Sequence, residues 1–479
     1  MSTRPVDLYR HPLTRPFLRP AAQTALRALW LAGTVALIAL GWGYDAIPGV
    51  PDLHPRVYTH ATTLLFWVFW FMGLVAVVPV LGRAWCGVCP LGWVADGLGR
   101  RGLGLPWPRW IARGWGSLAV FGAGVAAVVW FEANLSPHAT AALIAGVVGL
   151  AVGSAVLWRR SAFCRGLCPV GTVLSLYARH TPLAVRARDP GRCRACGRAC
   201  VATDPEWRRL DWGRWVWFRR RDRAGCPVAL DPTRMDPTEC LLCLRCVRRC
   251  PEGNLGVWWG RRPAAGALPP ARAVFLGALL GLVSLALYRT WPEAEVALTP
   301  GVLPPAWFRA LWMGAVVPAV LLGLPPILGR LGARVTGRPA AGAPGSAPGP
   351  GPKARGWGWL AALPAFVGPV LGGHLALALV KLNAKAAYLP YLVYDPWGAE
   401  TYLAIHASGL LPKPDLLLPL AALRWVALGV LAAGILRSAR VLWWRVRDPA
   451  TRPAAAWYLP SWLVVSGGLA AALWHWLGG

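Results

Sequence analysis

Nine apolar runs constrain this chain more than any other feature, at 26–46, 58–81, 115–134, 138–157, 272–290, 307–328, 358–382, 415–437 and 459–477. Each approaches or exceeds the roughly 20 residues that cross a bilayer. In hydrocarbon every backbone N–H and C=O must find its partner within the protein, so such runs fold as helices. The loops after the second, fourth, sixth and eighth runs carry arginines: Arg83, Arg100 and Arg101; Arg159 and Arg160; Arg330 to Arg355; Arg437 to Arg452. Loops between them are short or acidic, as at Glu293 and Glu295. This alternation is the positive-inside pattern, and it predicts an inner N-terminus and an outer C-terminus. It also accounts for a chain that is 56% hydrophobic yet carries a net charge of +30. A basic excess can mark a nucleic-acid partner. Here the arginines punctuate apolar runs instead of forming one soluble patch, which argues against nucleic acid. The 30 tryptophans suit membrane interfaces. No small-residue cleavage site follows the basic N-terminal segment, so the first run reads as a retained anchor. The expected location is a prokaryotic cytoplasmic (inner) membrane, crossed many times.

Two stretches interrupt the pattern. Residues 386–414 are apolar but broken by Pro390, Asp395 and Pro396, and read as an interfacial or re-entrant segment on the outer side. Residues 336–357 are rich in Pro, Gly and Ala and read as a flexible linker between six spans and three. The first four spans also contain a repeat. Two helix pairs end in Trp85-Cys86-x2-Cys89-Pro90-Leu91-Gly92 and Phe163-Cys164-x3-Cys168-Pro169-Val170-Gly171. Small-residue pairs Gly149/Gly153 and Gly277/Gly281 suit close helix packing in lipid.

All 12 cysteines fall on the side assigned to the cytoplasm. In a reducing compartment their spacing indicates metal ligation and not a disulfide framework. The strongest motif is Cys240-x2-Cys243-x2-Cys246-x3-Cys250-Pro251. Three thiolates on one tight loop reach one iron–sulfur cluster, and in two-cluster ferredoxins the fourth ligates the other. A zinc ribbon would instead separate two CxxC pairs by a longer loop. A partner motif lies upstream: Cys193-x2-Cys196-x3-Cys200, then Cys226-Pro227 after an insertion rich in Trp and Arg. Crossed ligation predicts one [4Fe–4S] cluster on Cys193, Cys196, Cys200 and Cys250, and a second on Cys226, Cys240, Cys243 and Cys246. A degenerate first site is the alternative. The insertion reads as a flap over anionic head groups or as a docking surface for an acidic redox partner. Cys86, Cys89, Cys164 and Cys168 form another group. A third iron–sulfur cluster leads the readings there, with a redox-active dithiol pair, a transient metal site or purely structural turns as alternatives.

Ionisable groups inside the spans are costly and usually face a cavity or a partner. His374, Lys381, Lys385 and Tyr388 fall on one helical face, with Asn383 on the same helix, and Arg424 falls in the middle of the eighth run. His374, Lys381 and Arg424 are therefore candidates for a quinone pocket or proton path, with structural hydrogen bonding or snorkelling as the alternative. The other histidines lack the matched pairs that haem b requires. No catalytic triad or glycine-rich nucleotide motif is evident, which leaves substrate chemistry to partners.

Paired Cys-Pro loops after transmembrane hairpins, followed by two ferredoxin motifs, make residues 58–290 resemble the NapH- and NosR-type membrane polyferredoxins, which serve quinol dehydrogenation. This sequence departs from them in the Cys86/Cys89 gap, the late Cys200, the insertion and the last three spans. The resemblance implies cluster ligation by Cys193, Cys196, Cys200, Cys226, Cys240, Cys243, Cys246 and Cys250. It also implies an electron-transfer subunit of a quinol dehydrogenase complex.

The expected fold is an α-helical polytopic membrane protein with an inserted cytoplasmic α+β two-cluster ferredoxin-like domain. Its parts are a basic segment (1–25), a four-helix module (26–158), the cysteine-rich domain (159–271), a helix pair (272–335), the linker (336–357) and a C-terminal module (358–479). The expected function is an electron relay between the quinone pool and a protein redox partner, in contact with membrane lipid. The alternative is a maturation or metal-reducing factor for a respiratory metalloenzyme.

Overall fold

The computed structural model describes residues 6–43, 58–99, 101–158, 162–196, 209–212, 215–218, 226, 237–260, 266–289, 291, 293–294, 305–335, 358–448 and 451–478. Cys200, the 336–357 linker and most of the Trp/Arg insertion lie outside these residues. Contacts divide the chain into two compact units, one of residues 1–264 with 388–413, the other of 265–387 with 414–479.

The first unit is built on helices Pro20–Trp42, Ala61–Leu81, Trp115–Trp130 and Pro137–Leu157. Their starts are written locally. Proline opens the first and fourth, where its missing N–H costs nothing. The Ser136 hydroxyl accepts from the Ala139 amide at 3.2 Å, and His60 Nδ1 accepts from Thr62 N at 3.0 Å. Ala61–Leu81 carries a π-helical stretch, Leu64–Met72, and stops at Gly82, whose φ of +56° favours glycine. Polar side chains tie the bundle: Trp67 donates to Ala133 O at 3.1 Å and Thr140 Oγ1 at 3.0 Å. Gly41 lets the first helix touch the fourth, since a Cβ there would lie 2.7 Å from Pro137 O. The Gly149/Gly153 pair does not serve the close packing expected of it. No described atom outside that helix would lie within 4 Å of a Cβ at either, and Pro137 and Ala141, nearer the start of that helix, make the approach.

Beside these helices lies an antiparallel sheet in the order β1-β6-β3, with β1 at Val6–Asp7, β3 at Leu183–Ala187 and β6 at Leu255–Trp259. Val185 and Val257 are paired in register at its centre. Its buried face packs on Leu242, Leu244 and Val247 of the Cys240–Cys250 segment. A second sheet joins β2 (Trp107–Pro108) to the hairpin of β4 (Arg209–Trp212) and β5 (Trp215–Phe218). The inserted segment is thus anchored by backbone pairing to the loop between the second and third helices.

The first sheet joins both ends of this stretch. Strand β1 precedes the first helix, whereas β3 and β6 follow the fourth. Three helices of that stretch are long and apolar enough to cross on their own, and Trp115–Trp130 is shorter, at 16 residues or about 24 Å. Across the described residues eight helices reach full spanning length, against the nine runs expected, and the third run accounts for the difference.

Residues 388–413 form short turns in place of a span, including Tyr391–Tyr394, Ala399–Tyr402 and the π turn Leu403–Ala407. They cap the end of Ala61–Leu81 remote from Cys86: Ala61 N donates to Pro396 O at 2.9 Å, and Thr59 Oγ1 to Gly398 O at 2.9 Å. Asp395 holds this turn by accepting from the Gly398 and Thr401 amides, each at 2.8 Å.

The second unit contains helices Pro270–Tyr288, Trp307–Gly329, Leu420–Arg447 and Arg452–Leu477, and the Leu363–Tyr388 helix up to residue 387. Small residues set its closest contacts. Gly281 packs on the Met313 and Gly314 backbone, and Gly368 meets Gly434 and Ser438, where the Ser438 hydroxyl accepts from Gly368 N at 3.0 Å.

Candidate metal centres

The repeated signature Cys-Pro-x-Gly has a local physical logic. In both copies the cysteine is the N-cap of a nine-residue helix, Pro90–Leu98 or Pro169–Tyr177, with proline as the first helical residue. The free amides of the first turn then point at the sulfur. Cys168 Sγ accepts from Gly171 N at 3.2 Å. Cys89 faces the Leu91 and Gly92 amides, which draw its pKa down against burial. The glycine three residues on lies directly beside the sulfurs. A Cβ at Gly92 would lie 3.5 Å from Cys164 Sγ and 4.0 Å from Cys89 Cβ, and one at Gly171 3.5 Å from Cys168 Sγ.

These contacts bring Cys86, Cys89, Cys164 and Cys168, drawn from two hairpins, into one buried site. Burial and neighbouring sulfurs push the Cys89 thiol up to about 11 and the Cys168 thiol up to about 12, and Cys164 well above its ordinary value. As isolated thiolates such groups are unfavourable. Around a cationic iron–sulfur core, with amides aimed at two of them, they form a compatible donor set.

The second group gathers on the Cys240–Cys250 loop. Leu242 and Leu244 have φ of 51° and 59°, a left-handed conformation that is costly for a branched residue. It coils the loop so that amides face sulfur: Leu242 N donates to Cys240 Sγ at 3.4 Å. Cys240, Cys243 and Cys246 interact electrostatically with one another and with Cys226, from the far side of the insertion. Burial lifts all three thiols above their ordinary value, Cys240 to about 12.

Cys250 goes elsewhere. Its sulfur accepts from Asn254 N at 3.3 Å, and the same asparagine donates through Nδ2 to Cys193 Sγ at 3.1 Å. Asn254 also binds Asp189, donating to its carbonyl at 2.7 Å and accepting from its amide at 3.0 Å. Cys193 and Cys250 are thus brought together across the sequence, and Cys196 lies one turn beyond Cys193. Among the described residues no three Cys, His, Asp or Glu side chains surround a single ion position. A cubane takes one thiolate per iron, so its ligands stand around a volume and need not converge on a point.

The first two groups adjoin. Gly87, between Cys86 and Cys89, packs on the backbone of Leu241 and Leu242, between Cys240 and Cys243: a Cβ would stand 2.7 Å from Leu242 O. Arg27, from the first helix, donates to Gly87 O through Nε at 3.0 Å and Nη2 at 2.6 Å. Arg245 pairs with Asp96 on the Pro90–Leu98 helix. Arg83 Nη1 donates to Thr238 O at 3.0 Å, and its guanidinium reaches the Cys86 sulfur. Burial opposes the charge on Arg83, but Cys86, Glu239 and Cys168 outweigh it and hold the pKa above its ordinary value. Sequence reading picked out the cysteines and missed Arg83, Gly87, Arg27 and Asn254. The only available signal was an arginine three residues before the first Cys-x2-Cys-Pro loop.

Of the candidate residues of the second unit, His374 and Lys381 interact electrostatically along one helix, and no contact among the described residues joins Arg424 to them. His374 is buried, whereas Lys381 lies on the surface of the same helix. Arg424 is one turn from the start of Leu420–Arg447 and not mid-span, because residues 415–419 are not helical; its guanidinium stacks on Trp474 at 3.3 Å. Asn383 is structural: it donates to Leu418 O at 3.1 Å and accepts from Leu418 N at 2.7 Å, bracing the turn into the next helix.

Comparison with protein families gives one match. A family model described as a 4Fe-4S binding domain aligns with residues 63–117 and 140–189, the two hairpins of the repeat with Cys86, Cys89, Cys164 and Cys168. The protein is therefore an iron–sulfur protein with a 4Fe-4S domain, carried on helices apolar enough to cross a membrane. Residues 193–250 lie outside the matched segments. No curated protein and no solved structure matches the chain.

Proposed function

We propose that the chain is a membrane-bound electron relay of the NapH/NosR type, passing electrons between the quinone pool and a protein redox partner, such as another subunit of an oxidoreductase complex. The observation that carries this reading is the contact of Gly87 with Leu241 and Leu242, which sets one cysteine group directly against another. A single metal-storage or structural site would have no use for such a junction.

In this reading Cys86, Cys89, Cys164 and Cys168 hold one [4Fe–4S] cluster, Cys226, Cys240, Cys243 and Cys246 a second, and Cys193, Cys196, Cys200 and Cys250 a third, on the cytoplasmic side. Bound clusters supply one-electron redox chemistry. The protein's own part is positional and electrostatic. The Leu91, Gly92 and Gly171 amides, the Leu242 amide and the amide and side chain of Asn254 favour thiolate over thiol. The apolar hairpins bring the first site close to lipid and so to a lipid-soluble donor. In the second unit His374, as the buried member of the candidate trio, is the residue best suited to accept a quinol proton, with Lys381 and Arg424 nearer the helix end.

Redox-monitored EPR of membranes with added quinol tests the relay. Rapid reduction of two or more clusters is the expected result. Clusters inert to quinol but able to reduce or deliver a metal ion would replace the relay with the maturation role.

A further inference from the structure

Arg83 is an unusual investment for a buried position. Only 5% of it is exposed, and its Nε has no hydrogen-bond partner. Burying a guanidinium is strongly unfavourable unless opposite charge compensates it. Its hydrogen bond to Thr238 is to a neutral carbonyl, which does little to offset a full charge. What offsets it is sulfur from two directions and one carboxylate. Cys86 and Cys168, one from each hairpin, lie on one side, and the Glu239 carboxylate and the Cys240 sulfur act from the other. A Cβ on Gly171 would stand 3.4 Å from Arg83 Nη2, so the second hairpin also closes on the guanidinium. The preceding Gly82, with its positive φ, turns the chain at the helix end so that the next residue points inward.

We propose that Arg83 is a positioning residue shared by two iron–sulfur centres, a fixed counter-charge that raises the reduction potentials of both the Cys86/Cys89/Cys164/Cys168 site and the Cys226/Cys240/Cys243/Cys246 site. The inference rests on the cluster assignments made above. Reduction adds one negative charge to a centre, and a cation held nearby in a weakly polarisable interior favours that state. Because one guanidinium faces both centres, it moves their potentials in the same direction and keeps them matched for electron exchange. Arginine suits the place: it stays charged when buried, and its planar fork addresses several acceptors at once.

The test uses the full-length protein in detergent, as wild type, Arg83→Gln and Arg83→Lys. Iron and acid-labile sulfide are measured first, and the clusters are then titrated with dithionite under EPR. In Arg83→Gln, iron content is expected to hold while both centres shift to lower potential, by at least tenfold in each reduction equilibrium. Arg83→Lys keeps the charge and is expected to restore most of that shift. Unchanged potentials at full iron content would overturn the proposal and leave the cluster assignments standing. A shift confined to one centre would overturn the shared role. If Arg83→Gln loses iron, Arg83→Lys decides: wild-type potentials support a charge effect, and potentials lowered at both centres in the lysine variant rule it out. Wild-type protein with iron for only one of the two centres would instead remove the reading on which the inference stands.

Discussion

Gly87 and Leu242 touch so closely that a Cβ on the glycine would stand 2.7 Å from the leucine carbonyl oxygen. The two loops of four residues, Cys86–Cys89 and Cys240–Cys243, therefore meet at their centres, backbone against backbone. We predict that Gly87→Ala pushes the loops apart at a cost of about 1–3 kcal/mol, the usual penalty for overpacking. Iron content should hold while electron exchange between the centres slows. Freeze-quench EPR after partial reduction measures that rate, and an unchanged rate would count against the junction.

Serine substitutions sort the cysteines into groups. With three clusters of equal iron content, Cys89→Ser, Cys243→Ser and Cys193→Ser are each expected to remove about a third of the iron. Cys250→Ser should behave like Cys193→Ser and not like Cys243→Ser, because Asn254 ties Cys250 to Cys193. Iron analysis with EPR on the single variants and on the pair Cys193→Ser/Cys250→Ser is the measurement. Additive loss in the pair would contradict crossed ligation.

Stability of the metal-free protein should depend on alkali. Burial lifts the Cys89, Cys168 and Cys240 thiols from an ordinary 9.0 to about 11, about 12 and about 12. A group whose folded pKa is raised adds stability that is complete below its unfolded pKa and is lost as pH climbs through the folded value. The metal-free form is thus expected to weaken from about pH 9 upward, whereas the iron-loaded form, whose thiolates no longer titrate, should change less. Denaturant melts of both forms across that range provide the comparison.

Asn254→Ala removes the Nδ2 donor to Cys193, takes the side-chain acceptor from the Asp189 amide and leaves the Asp189 carbonyl with the Cys193 amide as its remaining described donor. A loss of about 1–3 kcal/mol in stability is expected. Loss of an N–H···S bond should also lower the potential of the cluster assigned to Cys193 and leave the Cys86 centre where it was. Chemical denaturation and potentiometric EPR test the two effects separately.

Much of this was legible in the sequence for definite reasons. Bilayer thickness and backbone satisfaction dictate helices wherever apolar runs reach spanning length, and the cysteine spacings carry their own geometry. Legibility ended where tertiary contact decides. The 386–414 segment shows from its prolines that it does not span, but not that it folds over Thr59 to Ala61. Arg424 lies in an apolar run whose first five residues are not helical, so its depth was misjudged. Gly149 and Gly153 have the right spacing on a face that meets no neighbour, whereas Gly41 has no spacing signal and makes the contact. Arg83 and Asn254 belong to no motif; only the folded chain shows what surrounds them.

The pairing of Val6 with Trp259 has a consequence for how the protein is made. Strand β1 has its sheet partner among residues synthesised some 250 positions later, after four apolar helices have been made. The strand must wait, unpaired, until that whole stretch has been synthesised. The sheet, and the Cys240–Cys250 segment packed on its buried face, can therefore close only late, once β6 is available to both flanking strands.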